Sequence, residues 1–396
     1  MKHVTSLWKT AFFFLLIAGL IGLAMRYQFV GSIEGFNYRN FLHAHSHVIL
    51  LGWIFNALVA GLHFITIGEK ITGRYRILYV LFQLSILGML FSFPVQGYAT
   101  ISIIFSTLHI LLSYVWVSWM WRRTSILDKV SRGFIRWGLF YLLISTVGPF
   151  SLGPIIATGG AGTNLYFMAI YFYLHFLYNG AFIFCLLGLF FWFMHKLSIN
   201  KGRATGSLKL MNISCVLSLF LSALWMQPHP VVYVVGAIAA IIQLIAIFQL
   251  IRVFLPIWPS LLSFISGRAV FLLKFVLSGL VLKVILQTIS SIPMFADLAY
   301  EIRNFTIGYL HLIFLGIITP FLFAWFNLHG MMHLSTPFRK SGMVLFFAGF
   351  VFSELVIVSQ LWWNGISYYQ LLFFASLVLM SGIALLFPIG RSSNIA

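Results

Sequence analysis

The sequence has few charged residues, and most of those it has are basic. Only 8% of the 396 residues are charged, with 6 acidic residues against 24 lysines and arginines, while 61% are hydrophobic. The mean hydropathy is +1.03. This composition excludes a soluble globular protein. No stretch is polar enough for a separate soluble domain, so residues 1–396 are expected to form one transmembrane domain.

Cysteine is nearly absent as well. Cys185 and Cys215 both lie in apolar runs, so neither a disulfide framework nor a zinc site can be built from cysteine. The net charge of +18 could suggest nucleic acid. However, the basic residues fall in short connections between apolar runs, where topology signals are found. We therefore expect the lipid bilayer as the partner, and no nucleic acid.

Twelve apolar runs have about the 20-residue length of a transmembrane helix. They cover residues 10–25, 41–67, 77–93, 98–121, 133–152, 165–193, 208–226, 231–255, 270–292, 305–326, 342–362 and 368–387. This pattern predicts an all-α polytopic membrane protein of about twelve transmembrane helices, here called spans 1–12. The first run has no small-residue cleavage site, which favours a retained helix over a signal peptide.

The distribution of cations predicts the orientation, because lysine and arginine near span ends are kept in the cytoplasm. The cation-rich face comprises Lys2, Lys9, Lys70, Arg74, Arg76, Arg122, Arg123, Lys129, Arg132, Arg136, Lys196, Lys201, Arg203, Lys209, Arg252, Arg268, Arg339, Lys340 and Arg391. The opposite face has only Arg26, Arg39 and Arg303, while Lys274 and Lys283 lie within span 9. Both termini are thus predicted to be cytoplasmic, and the location to be a bacterial cytoplasmic membrane.

Histidines gather in the outer half of the predicted bundle. Their positions are His43, His45 and His47 in span 2, His109 in span 4, His175 in span 6, His229 in the turn after span 7 and His311 in span 10. Imidazole in hydrocarbon needs a partner or a metal, and it is the commonest metal ligand. For a lone histidine such as His109, the alternative is a hydrogen bond to a neighbouring helix.

The spacing within span 2 divides its histidines between two helix faces. His43 and His47 are four residues apart and share a face, whereas His45 points elsewhere. The three histidines could therefore serve two different sites.

Spans 2 and 10 share a pattern, with Arg-Asn-Phe beginning eight residues before a histidine and glycine five residues after it. Its members are Arg39, His47 and Gly52 in span 2, and Arg303, His311 and Gly316 in span 10. We expect the glycines to leave room for a flat macrocycle and the arginines to pair with haem propionates. Two helices that each offer one axial histidine are typical of a low-spin haem.

Histidines near the outer ends of spans 2, 6, 7 and 10 resemble those of haem-copper oxidase subunit I. The resemblance implies a bundle of that type, with His311 and one of His43, His45 or His47 as ligands of a low-spin haem. In that family helices 6 and 7 hold copper, which makes His175, His229 and His43 candidates for a second metal. Tyr309 stands where the family has another tenth-helix histidine.

The NnrS family of haem- and copper-containing membrane proteins, linked to nitric oxide, is a closer likeness. Its early His-x-His with a following Gly-aromatic pair resembles His45-Ser46-His47 and Gly52-Trp53, and its late Leu-His resembles Leu310-His311. Val48 departs from the acidic residue expected there. The likeness implies b-type haem with copper, a role in nitric oxide metabolism or electron transfer, a diatomic ligand such as NO or O2, and an electron-donor subunit or quinol.

Two other functions compete with this hypothesis, and no catalytic residue can be assigned. The chain could be a divergent catalytic subunit of a terminal oxidase or nitric oxide reductase, which predicts two haems. It could instead be a transporter without haem, with a path lined by polar side chains inside the spans. The candidates for that path are Asn56, His175, Asn179 and Gln243.

Overall fold

The computed structural model describes residues 3–71, 73–199, 204–363 and 365–388. Within these residues twelve helices are long and apolar enough to cross a membrane, and no β-strand is formed. Spans 1–12 are Val4–Tyr27, Tyr38–Thr66, Gly73–Gln96, Thr100–Ile126, Lys129–Ala157, Asn164–Lys196, Ala204–Met226, Pro230–Leu262, Gly267–Ile289, Arg303–Leu328, Pro337–Ser359 and Ile366–Leu386. Each overlaps the predicted run of the same number, which confirms an all-α polytopic membrane protein. Lys2, Lys201, Arg203, Arg391 and both chain termini lie outside the described residues.

Local sequence signals fix where several spans begin and end. Pro230 and Pro337 open spans 8 and 11, where a residue without an N–H loses no helical hydrogen bond. The Asp128 carboxylate accepts hydrogen bonds from two backbone N–H groups at the start of span 5. Span 3 is followed by Gly97, whose φ of +63° favours glycine. Short connections of this kind make consecutive spans run in opposite directions.

The chain divides into two compact units, residues 1–119 with 322–396, and residues 120–321. The first unit holds spans 1–3, most of span 4, the end of span 10, and spans 11 and 12. Its apolar core includes Trp8, whose ring stacks on Phe326 with 3.9 Å between centroids. Spans 11 and 12 are in close contact, because a Cβ atom at Gly349 would lie 2.4 Å from the Leu379 nitrogen.

The second unit holds the end of span 4, spans 5–9, most of span 10, and the short helix Pro293–Glu301. Spans 5 and 6 approach closely through small residues. A Cβ atom at Gly138 would lie 3.0 Å from the Ala181 oxygen, and one at Gly148 would lie 2.4 Å from the Ala169 oxygen. Small residues at such crossings let backbones approach in lipid, where no hydrophobic force drives helices together.

Candidate functional site

His43 and His47 lie on one face of span 2, toward aromatic rings that follow in the chain. The His47 ring lies 4.4 Å from that of Phe93 in span 3, between ring centroids. The His43 ring lies 5.8 Å from the same Phe93 ring and 5.4 Å from the ring of Tyr98. The prediction that these two histidines share a face is confirmed.

His45 lies on another face of span 2, against span 1. Its Nδ1 lies 2.9 Å from the Ala18 carbonyl oxygen. A Cβ atom at Gly22 would lie 3.0 Å from the His45 ring. The absence of a side chain at Gly22 therefore leaves room for the ring against span 1. The triplet therefore presents imidazoles in two directions, as its spacing predicts.

Backbone carbonyls orient the rings of His45 and His47. His47 Nδ1 lies 2.9 Å from the carbonyl oxygen of His43, one helical turn earlier in the same span. His45 Nδ1 lies 2.9 Å from the carbonyl oxygen of Ala18 in span 1. Because a carbonyl only accepts, Nδ1 carries the proton in both rings and Nε2 keeps a lone pair. Both side chains are half-buried. A metal-bound histidine usually donates its other ring N–H to a carboxylate, a backbone carbonyl or water, and these two carbonyls could serve in that way.

Spans 2, 6 and 10 change from α-helix to π-helix directly after a histidine. The π segments are Val48–Phe55 after His47, Phe176–Phe182 after His175, and Leu312–Ile318 after His311. Such segments are rare and frequently occur at functional sites. Span 6 thus shares the histidine, the glycine five residues later and the π segment with spans 2 and 10, but not their Arg-Asn-Phe, and the sequence pattern did not single it out.

The glycine five residues after each of these histidines lies where the preceding span packs closely. The contacts are Gly52 with Phe14 of span 1, Gly180 with Tyr141 of span 5, and Gly316 with Gly279 of span 9. A Cβ atom would lie 2.8 Å from the Phe14 side chain at Gly52. The expectation that Gly52 leaves room for a macrocycle is wrong, because Phe14 fills that space. Gly52 instead allows spans 1 and 2 to approach.

Arg39 and Arg303 occupy the first turns of the α-helical segments Tyr38–His47 and Arg303–His311. Both side chains are exposed. Each arginine precedes the last histidine of its α-helical segment by eight residues, a rise of about 12 Å along the helix. In each span a cation thus lies at the entrance and an imidazole lies deeper.

His175 and His229 are engaged by the protein itself. His175 Nε2 lies 2.8 Å from the Cys215 oxygen, and its Nδ1 lies 3.2 Å from the Asn179 amide nitrogen. In this arrangement neither ring nitrogen has a free lone pair. The exposed His229 caps span 8, since its Nδ1 accepts from the Val231 N–H at 3.4 Å. Their roles as metal ligands stay predictions.

No group of three or more histidine, cysteine or acidic side chains within the described residues could hold a metal ion. A haem iron differs from a bare metal ion, because its macrocycle supplies four nitrogens and the protein adds at most two axial ligands. Neutral imidazoles such as those of His45 and His47 suit that requirement.

His109 is hydrogen-bonded to the neighbouring span. Ser85 Oγ donates to the Phe82 oxygen at 2.7 Å, and so accepts from His109 Nδ1 at 3.0 Å. The alternative interpretation of His109, a polar residue bonded to a neighbouring helix, is confirmed. Its buried Nε2 has no partner among the described residues.

Two of the polar residues that the transporter hypothesis needs, Asn56 and Gln243, form amide pairs between spans. Asn56 and Gln83 exchange two hydrogen bonds between spans 2 and 3, of 3.0 and 3.2 Å. Gln243 donates to Gln287 at 2.9 Å, between spans 8 and 9. The Asn56–Gln83 pair is satisfied without a transported ligand. Gln243 Oε1 and Asn179 Oδ1, in contrast, are buried and have no hydrogen-bond partner among the described residues.

No protein-family model matches the chain, and no curated protein matches it.

Proposed function

We propose that this multi-pass membrane protein binds haem, with His47 and His311 as axial ligands, and handles nitric oxide or electrons. Its resemblance is to the haem-copper oxidase superfamily and to NnrS, and its proposed location is a bacterial cytoplasmic membrane. The observation that carries the proposal is the matched geometry of spans 2 and 10. In each, an arginine lies in the first turn of the helix, and a π segment begins directly after a histidine.

The surroundings of His47 support axial ligation. Its Nδ1 is held by the His43 carbonyl at 2.9 Å, which leaves Nε2 as the ligand atom. The ring is half-buried and lies beside Phe93. This apolar aromatic contact would limit the access of water to a bound haem, and a drier site would shift the reduction potential of that haem.

Arg39 and Arg303 would hold the propionates, since guanidinium pairs well with carboxylates. A bound haem supplies one-electron chemistry and, where an axial position opens, a site for a diatomic ligand. His47, His311 and the two arginines would orient the haem.

The test is a reduced-minus-oxidised absorption spectrum with pyridine haemochrome quantitation on purified protein, produced with added haem precursor. We expect one low-spin haem in the wild type and its loss in His47→Ala and in His311→Ala. His333→Ala is the matched control, because His333 is exposed at the opposite end of span 10. His47→Met should keep the haem and raise its potential, since thioether ligation does so.

Haem retained in both alanine variants would contradict the assignment, and no haem in the wild type would contradict the function. Loss of haem in His45→Ala but not in His47→Ala would identify His45, on the face against span 1, as the span-2 ligand. A second haem that binds carbon monoxide would favour the reductase alternative.

A further inference from the structure

Five cations flank the turn Thr124–Ile126, which ends span 4 and leads into span 5. They are Arg122, Arg123, Lys129, Arg132 and Arg136. The only acidic residue between residues 120 and 140 is Asp128. Its Oδ1 already accepts hydrogen bonds from the Val130 and Ser131 N–H groups, because Asp128 caps span 5. This part of the chain therefore has a large excess of positive charge.

Two of these cations, Arg132 and Arg136, are held against consecutive residues of the turn. Arg132 Nη1 donates to the Ser125 carbonyl oxygen at 3.2 Å, and Arg136 Nε donates to Thr124 Oγ1 at 3.1 Å. The Arg136 guanidinium also lies 5.1 Å from the centre of the Trp121 ring. Each of these hydrogen bonds uses one of five N–H donors, so both guanidiniums keep donors for a further partner. Because like charges repel, an anion that contacts both guanidiniums would stabilise the pair.

The helical rise of span 5 places the cations at the membrane interface and an apolar ring beneath them. Arg132 lies in the first turn of the span, which begins at Lys129. Arg136 lies one turn deeper, but its guanidinium reaches back to Thr124, as a long cationic side chain does near an interface. Phe140 continues the four-residue spacing, so it shares this helix face about 12 Å deeper than Arg132. The Phe140 side chain is 41% exposed.

We propose that this face of span 5 binds one anionic phospholipid of the adjoining leaflet. The phosphate oxygens accept hydrogen bonds from the guanidiniums of Arg132 and Arg136, and an acyl chain lies against Phe140. Guanidinium suits this role because its planar N–H groups pair with two phosphate oxygens at once. Clusters of cations directly beside a span recognise anionic headgroups. A zwitterionic headgroup binds more weakly, because the same arginines repel its ammonium group.

The experiment titrates phosphatidylglycerol or phosphatidylcholine into the delipidated full chain in detergent, and counts the bound lipids by native mass spectrometry. We expect one tightly bound phosphatidylglycerol in the wild type. Arg132→Gln and Arg136→Gln should each lower its affinity about fivefold, and the double variant about 25-fold. Arg136→Lys keeps the charge but loses the planar donors, so its affinity should fall between those of the wild type and Arg136→Gln.

The matched control is Arg74→Gln, which removes an exposed cation of the cation-rich face at the start of span 3. It should bind phosphatidylglycerol as the wild type does. Equal loss in Arg74→Gln and Arg132→Gln would mean general charge attraction and would overturn the site. So would equal binding of phosphatidylcholine, no bound lipid in the wild type, or displacement by millimolar glycerol 3-phosphate, which has the phosphate but no acyl chain. If the double variant does not fold, Arg136→Lys decides, because wild-type affinity in that variant would overturn the guanidinium contact.

Discussion

At the scale of single residues, Lys283 is a buried cation within span 9. Its Nζ donates to Gln287 Oε1, which also accepts from Gln243. Burial of an ammonium costs several kcal/mol, and one amide acceptor offsets only part of that. Lys283 therefore depends on Gln287.

We expect Gln287→Leu to lower the free energy of unfolding by about 1–3 kcal/mol, because both donors lose their acceptor. Lys283→Met should be neutral or stabilising, since an apolar side chain replaces a buried charge. The thermal midpoint of the purified protein in detergent measures both changes. If Lys283→Met destabilises the protein as much as Gln287→Leu does, the ammonium makes another contact that the fold requires.

Ser85 provides a second prediction at this scale. Ser85→Ala removes the acceptor of His109 Nδ1, so a buried donor is left unpaired and stability should fall by about 1–3 kcal/mol. The control is Ser118→Ala, because Ser118 is exposed and bonds only its own helix. Thermal unfolding checks both variants. Equal midpoints would show that His109 has no need of Ser85.

Residue identity and spacing predict helix faces but not hydrogen-bond partners. The separation of His45 from His43 and His47 follows from helical periodicity alone. The carbonyl that fixes His45 belongs to Ala18, 27 residues earlier in another span. No local pattern specifies such a contact, because it depends on how two spans pack.

At the scale of elements, spans 5 and 6 approach closely at Gly180, whereas Gly153 in span 5 has no neighbouring atoms where a side chain would lie. A Cβ atom at Gly180 would lie 2.6 Å from the Tyr141 side chain, whereas nothing lies within 4 Å of one at Gly153. Gly180→Ala should therefore cost about 1–3 kcal/mol through overpacking. Gly153→Ala should be neutral or stabilise by about 0.5–1 kcal/mol, since alanine favours helix.

Chemical denaturation or thermal melting of the two variants measures this difference. A Gly180→Ala protein as stable as Gly153→Ala would show that spans 5 and 6 separate without cost. Gly52→Ala, whose Cβ would meet Phe14, should behave like Gly180→Ala.

Hydropathy predicts the spans because the bilayer imposes length and composition on each one. The π segments escape such analysis, since they change the hydrogen-bond register of a helix without changing its composition. The histidine–glycine part of the pattern in span 6 could have been found from sequence, as His175 and Gly180 have the same spacing as His47 and Gly52. The role of Gly52 could not be predicted from sequence, because the residue that it contacts, Phe14, is distant in the chain.

At the scale of the whole molecule, the distribution of cations predicts which side of the bundle faces the cytoplasm. The geometry of the helices alone does not determine this orientation. Ser125 is exposed at the end of span 4, beside Arg122 and Arg123. Thr158 is exposed in the connection after span 5. Because retained cations mark the cytoplasmic side, these two positions should lie on opposite sides of the membrane.

We expect a membrane-impermeant maleimide to label Thr158→Cys in intact cells, and Ser125→Cys only after permeabilisation. The native Cys185 and Cys215 are buried within spans and give an unlabelled background. The reverse labelling pattern would show that the bundle has the opposite orientation in the membrane. The span-2 histidines and the entrance arginines would then lie in its cytoplasmic half. Labelling of both positions in intact cells would mean that span 5 does not cross, because that span alone separates them.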